Sequence, residues 1–551
     1  MIHGYDFKED KLPNKHVLYG ILIAIILISV LIRGFLAWFL ELGNDEVYYW
    51  TYALFPDLSH FDHPPMVGFT IQAFSWNLHF NSELFIRLGS VILGGANTYL
   101  IFLIGRNIRD FLTGLFAAML YNTSVYCFVI AGVFILPDTP QLFFWLISLY
   151  ILIKIPPGKP ISKNRAMMLF FASIPLGFAM LSKYTSVFLW LGAGIYIVFY
   201  NREWLKKSEF YLSILMTVLI FSPVVFWNIE NKFISFTFQS ERVSFFGSGI
   251  RPDYFITELF GQILYNNPIN FILIVLALIA LFRKNFSINR EHKRILLATS
   301  LPLIFLFLFF ALFRRTLPHW TAPGYISLIV FAAAYLSEKA MKPAKAVLMP
   351  KVILASSLLL MVAITLGVLQ IKLSVFPPTP TEDSRKLGED DLTLDIYGWK
   401  QFAYKFSKLA DQDFYSKNMN ADAPIISNKW FPAAHLDYYV AMPYDLNLLA
   451  IGDLNDIHKY AWINRERPQI RIGSDAYFIT TSRNFKSPGY LFEYFKYIET
   501  PEIIRIFKQD KHVENFFVYR LRNCYKQPPD VLEELGIPIK TDEIYSLGEF
   551  E

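Results

Sequence analysis

The sequence predicts a polytopic α-helical membrane protein that ends in a separate α/β domain, and three observations carry that prediction. Hydrophobic residues make up 54% of the 551-residue chain and charged residues only 18%, below the roughly 25% charge of soluble domains. Apolar runs of membrane-spanning length recur through the first two thirds, divided by short stretches that alternate between Lys/Arg-rich and Lys/Arg-poor. Near residue 374 the composition changes to frequent charge and strand-length apolar runs. The two cysteines, Cys127 in an apolar run and Cys524 near the C-terminus, imply no disulfide framework. The formal charge of +5 gives no reason to expect a nucleic-acid partner.

The elements follow in order. Residues 17–40 come after Lys8, Lys11 and Lys15 and precede a group of acids. No small-residue cleavage site follows, so they read as a retained signal-anchor helix with the N-terminus in the cytoplasm. Residues 43–65, GNDEVYYWTYALFPDLSHFDHPP, form an external loop. Residues 66–80 are apolar but short, and read as an interfacial helix started by Pro65 and anchored by Trp76.

Further spans are expected at about 85–105, 112–135 and 140–153, then two within 166–200 that meet at Ser182-Lys183-Tyr184-Thr185-Ser186. Others are expected at about 209–226, 255–282, 295–313, 321–337 and 352–371. That is about eleven spans, with every predicted inner loop rich in Lys and Arg and the C-terminus outside. External loops then cover 41–84 and 227–254. A polar linker, 374–390, leads to residues 391–551. There Ala423–Asn428, Asn447–Ile451, Ala476–Thr481 and Phe516–Tyr519 read as buried strands between helices at Trp399–Ala410 and Pro432–Val440. This pattern suggests a largely parallel sheet. No glycine-rich nucleotide fingerprint is present.

Chemistry concentrates in the first external loop. Asp45 and Glu46 lie just past the first span, where a carboxylate could take a proton from an incoming hydroxyl or simply cap a helix. His60-x-Asp62-His63-Pro64-Pro65 could hold a divalent metal through His60, Asp62 and His63. Alternatively, a helix beginning at Pro65 would set its positive end beside His63, as a phosphate site does. Asp138, between Pro137 and Pro140, reads on its own as the N-cap of the helix that follows. Lys183 interrupts a long apolar stretch, which is costly unless it snorkels or pairs. Arg242, Arg314, Arg315 and His319 are external cations, suited to an anion or to lipid headgroups.

These motifs occur in a definite order. Asp-Glu after the first span is followed by Asp-His-Pro-Pro, Pro-Asp-Thr, Leu-Ser-Lys-Tyr-Thr, Trp227-Asn228, Pro318-His319-Trp320 and Tyr397-Gly398-Trp399. Together they resemble glycosyltransferase family 39 of the GT-C superfamily, which includes protein O-mannosyltransferases and aminoarabinose lipid A transferases. The resemblance implies transfer of a sugar from a polyprenyl-phosphate donor without an obligatory metal or other cofactor. By resemblance Asp45, with Glu46, matches the first acidic motif and Asp138 the second, so these three are the catalytic candidates. Lys183 and Arg242 match donor-phosphate positions. His63 stands where the lipid A enzymes carry Lys, and neutral His is a weaker anion ligand. Asp62, Tyr48, His319 and Trp320 are the candidate substrate-binding residues.

The expected reaction is single displacement with inversion, on the outer face of a bacterial plasma membrane. The acceptor would be a lipid, glycan or protein. A transporter or flippase of lipid-linked sugars is the competing expectation. Against it stand the lack of an internal repeat and the clustering of polar residues on one face.

Overall fold

The computed structural model describes residues 12–155, 161–244, 249–342, 347–376, 379 and 381–538. Lys8 and Lys11, named above as flanking the first helix, lie outside the described residues. The chain divides into two compact units. The first comprises residues 1–40, 52–227 and 235–367, and the second 41–51, 228–234 and 368–551.

All the predicted apolar segments of the first unit are helical, but they differ in length. Among the described residues six helices are long and apolar enough to cross a membrane: Lys15–Phe39, Leu88–Ile108, Ser208–Glu230, Arg290–Phe310, Pro318–Ala340 and Lys351–Leu373. The segment expected as one span at 255–282 is instead two helices, Pro252–Tyr265 and Pro268–Phe282, meeting at 97°. The break has a local cause. Asn267 sits at φ +67°, its side chain accepts from the Ile269 amide, and Pro268 starts the next helix.

The span expected at 112–135 also breaks, since its helix ends at Thr123 and a wide turn follows at Tyr126–Ile130. Arg33, fully buried on the first helix, holds that turn. Its Nε donates to the Phe128 carbonyl at 3.3 Å and its Nη2 to Asn122 Oδ1 at 3.0 Å, with the guanidinium 4.4 Å from the Phe128 ring. Irregular backbone among apolar helices persists only where such partners satisfy it. Arg87 does the same for the end of the first helix, donating to the carbonyls of Leu40 at 2.7 Å and Ala37 at 3.1 Å.

The centre of this unit is helix Ala322–Ala340, buried along nearly its whole length. It packs against Phe111–Thr123, Arg290–Phe310 and Pro268–Phe282. Close approach of neighbouring helices depends on glycine. A Cβ on Gly114 would lie 2.5 Å from the Phe102 carbonyl oxygen, and one on Gly192 would lie 2.6 Å from that of Ala298.

Among the described residues of the second unit six strands form one sheet in the order β2-β1-β3-β6-β4, with β5 also on β6. The strands are β1 (Ile425–Ser427), β2 (Leu448–Ala450), β3 (Ala476–Thr481), β4 (Phe495–Ile498), β5 (Glu502–Lys508) and β6 (Lys511–Cys524). Only β1 pairs in parallel, with β2 and β3; β6 pairs antiparallel with β3, β4 and β5. The sheet is therefore mixed, not largely parallel. The reason is the tight β5–β6 turn, where Gln509 takes a positive φ of 52°, and two-residue hairpins join only antiparallel strands.

Helix Trp399–Tyr415 covers the sheet, with Phe402 stacked on Phe516 at 4.0 Å. Gly398 at φ +100° makes the turn into that helix, and a Cβ there would meet Ile506 Cγ2 at 2.9 Å. Glu41 then accepts from the Trp399 amide at 2.9 Å. Residues 41–51 are thus built into this unit. Leu42 donates its amide to the Tyr439 hydroxyl at 2.7 Å, and Asn44 Oδ1 lies 2.9 Å from His435 Nε2.

Substituting Gly114→Ala should overpack the Gly114–Phe102 contact and destabilise the protein by about 1–3 kcal/mol. Thermal unfolding in detergent would measure this, and an unchanged midpoint would contradict the close packing.

Candidate functional site

The first unit gathers residues from four distant stretches around one cavity. Asp138 opens helix Asp138–Lys154, and Lys183 follows the end of helix Lys163–Met180. Their side chains are 3% and 6% exposed and meet at 2.8 Å between Asp138 Oδ2 and Lys183 Nζ. Asp138 Oδ1 accepts from the Tyr126 hydroxyl at 3.0 Å. With both oxygens engaged, Asp138 is set to hold Lys183 in place. The placement also suits the helices, because the acid is at a positive helix end and the cation at a negative one.

The backbone break that carries Lys183 is tied down on several sides. The Lys183 amide donates to the Ala179 carbonyl at 3.0 Å, and so does Ser186 Oγ at 2.8 Å. Gln141 Nε2 donates to Thr185 Oγ1 at 2.9 Å and Ser186 Oγ at 3.0 Å. The Met66 amide donates to the Leu181 carbonyl at 3.2 Å. That last bond joins the start of helix Met66–Phe74 to the break, so Asp62-His63-Pro64-Pro65 comes to Lys183.

His63, Lys183 and Arg242 line one cavity of about 400 Å³ together with Phe188, Phe307 and Trp320. Its polar groups are few and its wall is otherwise largely aromatic and aliphatic. Arg242 closes helix Ile234–Val243, with its guanidinium 4.8 Å from the Trp320 ring and 5.6 Å from Phe238. His319, next to Trp320 in the chain, is not among the residues lining the cavity; its ring lies 6.0 Å from that of Tyr265. Asp62 points elsewhere: its carboxylate accepts from the Tyr52 hydroxyl and its carbonyl from Gln239. Asp62 therefore fixes the loop on which His63 sits.

His63 keeps some accessible surface, as a cavity-lining residue does. Burial, reinforced by Lys183 and Arg242 and opposed by Asp62, pushes its imidazole down to about 4. His63 is thus a neutral N–H donor at neutral pH, not a cation. The unfolded chain takes up this proton near 6.5, so the group withdraws stability as pH falls from there towards 4.

The other expected residues fall in the second unit. Asp45 and Glu46 occupy the first turn of helix Asn44–Leu54. Glu46 is buried and accepts from the Gly43 amide at 2.9 Å. Tyr48 is buried, 4.8 Å from the Trp430 ring, with its hydroxyl accepting from the Lys459 amide. As for a metal, no cluster of three or more His, Cys, Asp or Glu capable of holding one occurs among the described residues. The His60 ring instead lies 3.7 Å from that of Tyr52.

Three contributors had no role in the sequence reading. Tyr126 and Gln239 were hidden in apolar or featureless stretches. Asp57 accepts from Trp227 Nε1 at 2.8 Å, a pairing across 170 residues that no local pattern announces.

This architecture shares its fold with a protein of known structure. ArnT from Cupriavidus metallidurans superposes in its apo state with a TM-score of 0.57 at 12% identity, over 91% of this chain and 98% of that one. The same protein bound to undecaprenyl phosphate gives 0.57 at 12%, over 92% and 98%. Residues 62–227 match the family described as dolichyl-phosphate-mannose-protein mannosyltransferase. That range holds Asp62, His63, Asp138 and Lys183. The lipid A galacturonosyltransferase RgtD of Rhizobium johnstonii is 21% identical over 56% of this chain, and an uncharacterized protein of Aquifex aeolicus is 21% identical over 51%. The chain spans 65% and 54% of the length of these two relatives.

Removing Lys183 alone should leave Asp138 buried without its counter-charge. We expect Lys183→Met to cost about 3–5 kcal/mol, and the added Asp138→Asn change to recover most of it; unfolding midpoints of the single and double variants check this. Separately, the neutral state of His63 should persist between about pH 5.5 and 8. Sugar-transfer or lipid-binding profiles of the native protein and His63→Gln should then share one shape. A step near 6.5 present only in the native profile would contradict it.

Proposed function

We propose that this protein transfers a sugar from a polyprenyl-phosphate donor to an acceptor hydroxyl or phosphate on the extracytoplasmic side of the plasma membrane. The observation that carries this reading is the cavity lined by Lys183, Arg242 and His63 among aromatic and aliphatic residues. An isoprenoid chain suits the apolar lining, and a phosphate suits the cations. The likeness to ArnT, which binds undecaprenyl phosphate, supports the same reading, as does the family match over residues 62–227.

The charges fit the task. Asp138 balances one of the two cations, which leaves about one net positive charge and the neutral His63 N–H facing the phosphate. Negative charge grows on that phosphate as the bond to the sugar breaks, and preorganised donors in a dry site stabilise it most. The acceptor oxygen forms the new bond to the anomeric carbon while the prenyl phosphate leaves with its electron pair. The acceptor proton passes to a carboxylate. Asp45 is our candidate for that base by its place in the sequence motif. Displacement from the opposite face inverts the anomeric centre. Asp138 acts by positioning Lys183.

Asp45→Asn should lower sugar transfer by about 10²–10⁴-fold, with undecaprenyl phosphate binding retained. Full-length protein in donor-supplied membranes, assayed by mass spectrometry of the acceptor pool, is the measurement. Transfer at the native rate would remove Asp45 from the mechanism, and gradient-dependent uptake of lipid-linked sugar without transfer would favour a transporter.

A further inference from the structure

Arg242 faces two cavities. Besides the one described above, it lines an open groove of about 490 Å³ shared with Glu241, Arg251, Tyr254, Arg314 and Arg315. Four guanidiniums stand there against the carboxylates of Glu241 and the neighbouring Asp253. The groove is built from two segments held together. The Arg251 amide donates to the Leu312 carbonyl at 2.7 Å, and Arg314 Nε donates to the Ser244 carbonyl at 2.7 Å. Arg251 is further fixed by Asp253 at 2.8 Å and by the Tyr254 ring at 4.1 Å. Arg315 is exposed and enters no ion pair among the described residues.

Fork-shaped guanidiniums in a fixed groove match phosphate or carboxylate oxygens in pairs. We propose that this groove binds the anionic group of the acceptor, an amphiphile carrying a phosphate or carboxylate, and that Arg242 is the shared wall between acceptor and donor sites. The assignment rests on the glycosyltransferase reading for the word acceptor. The anion site itself stands on the groove alone.

Native mass spectrometry of the full-length protein in detergent tests it with four probes: dioleoyl phosphatidic acid, dioleoyl phosphatidylcholine, inorganic phosphate and undecaprenyl phosphate. The native protein should bind phosphatidic acid in preference to phosphatidylcholine. Arg251→Gln with Arg315→Gln should weaken that binding by about tenfold or more, while undecaprenyl phosphate affinity stays within about twofold and reports an intact fold. Arg315→Gln alone, at an exposed position, gives a smaller loss in the same direction, and Arg251→Lys with Arg315→Lys restores part of the binding. Millimolar inorganic phosphate that displaces the lipid shows that the phosphate itself is read; displacement by lipid only assigns the site to a membrane-borne anion.

Equal phosphatidic acid binding in native and doubly substituted protein overturns the groove. Parallel loss of undecaprenyl phosphate also overturns it, because the groove would then belong to the donor. Failure of the native protein to bind undecaprenyl phosphate at all counts against the donor reading and leaves the groove result to stand on its own.

Discussion

The ion pair between Asp138 and Lys183 is the constraint on which the first unit depends. Two charges among apolar helices are tolerable only when each is the other's partner and the remaining valences are filled. Here Tyr126 engages the second oxygen of Asp138. That requirement fixes three things together: where helix Asp138–Lys154 begins, where helix Lys163–Met180 stops, and where the wide turn at Tyr126 must lie. The cavity follows from them, because the ends of these helices leave room that Phe188, Phe307 and Trp320 line without filling.

Much of this was legible in the sequence, and the reasons are physical. Hydropathy located the long apolar helices of the membrane part, since burial in lipid demands long apolar runs, but it passed over helix Ile234–Val243, whose mixed polar and apolar residues fall in the stretch expected as an external loop at 227–254. The polar insertion Ser182–Ser186 announced a break for the same reason. The bend at Asn266-Asn267-Pro268 was written in plain cap residues, but a continuous apolar count across 255–282 passed over it. Asn122-Thr123-Ser124 likewise marked the end of a helix that hydropathy extended to 135. In the second unit, β5 (EIIRIFK) alternates charge with apolar residues and faces solvent on one side, so a search for continuous apolar runs did not find it.

The site divides along a similar line. Lys183, conspicuous in an apolar stretch, was legible from its cost, whereas Asp138 on its own reads as a helix cap and was singled out only by its place in the ordered motifs. His63 was found from its neighbours, though the sequence alone cannot tell that its surroundings hold it neutral. Residues that act by supporting others stayed silent. Arg33 holds carbonyls of a turn ninety-odd residues away, Asp57 meets Trp227, and Gln239 steadies the His63 loop. Each of these pairings exists only once the chain has folded, and none leaves a spacing that can be read beforehand.

The second unit is discontinuous, taking residues 41–51 from near the start of the chain and its last strand, β6, from residues 511–524. This has a consequence for biosynthesis. The ribosome releases the segment bearing Asp45 and Glu46 long before β6 exists, and the Trp399 amide and Tyr439 hydroxyl that engage Glu41 and Leu42 are made only hundreds of residues later. Membrane insertion of the intervening helices therefore precedes completion of this unit. The nascent chain must carry an unfinished acidic segment throughout that interval, and a truncated product lacking the last strand would contain every residue of the Lys183 cavity while leaving residues 41–51 without their sheet.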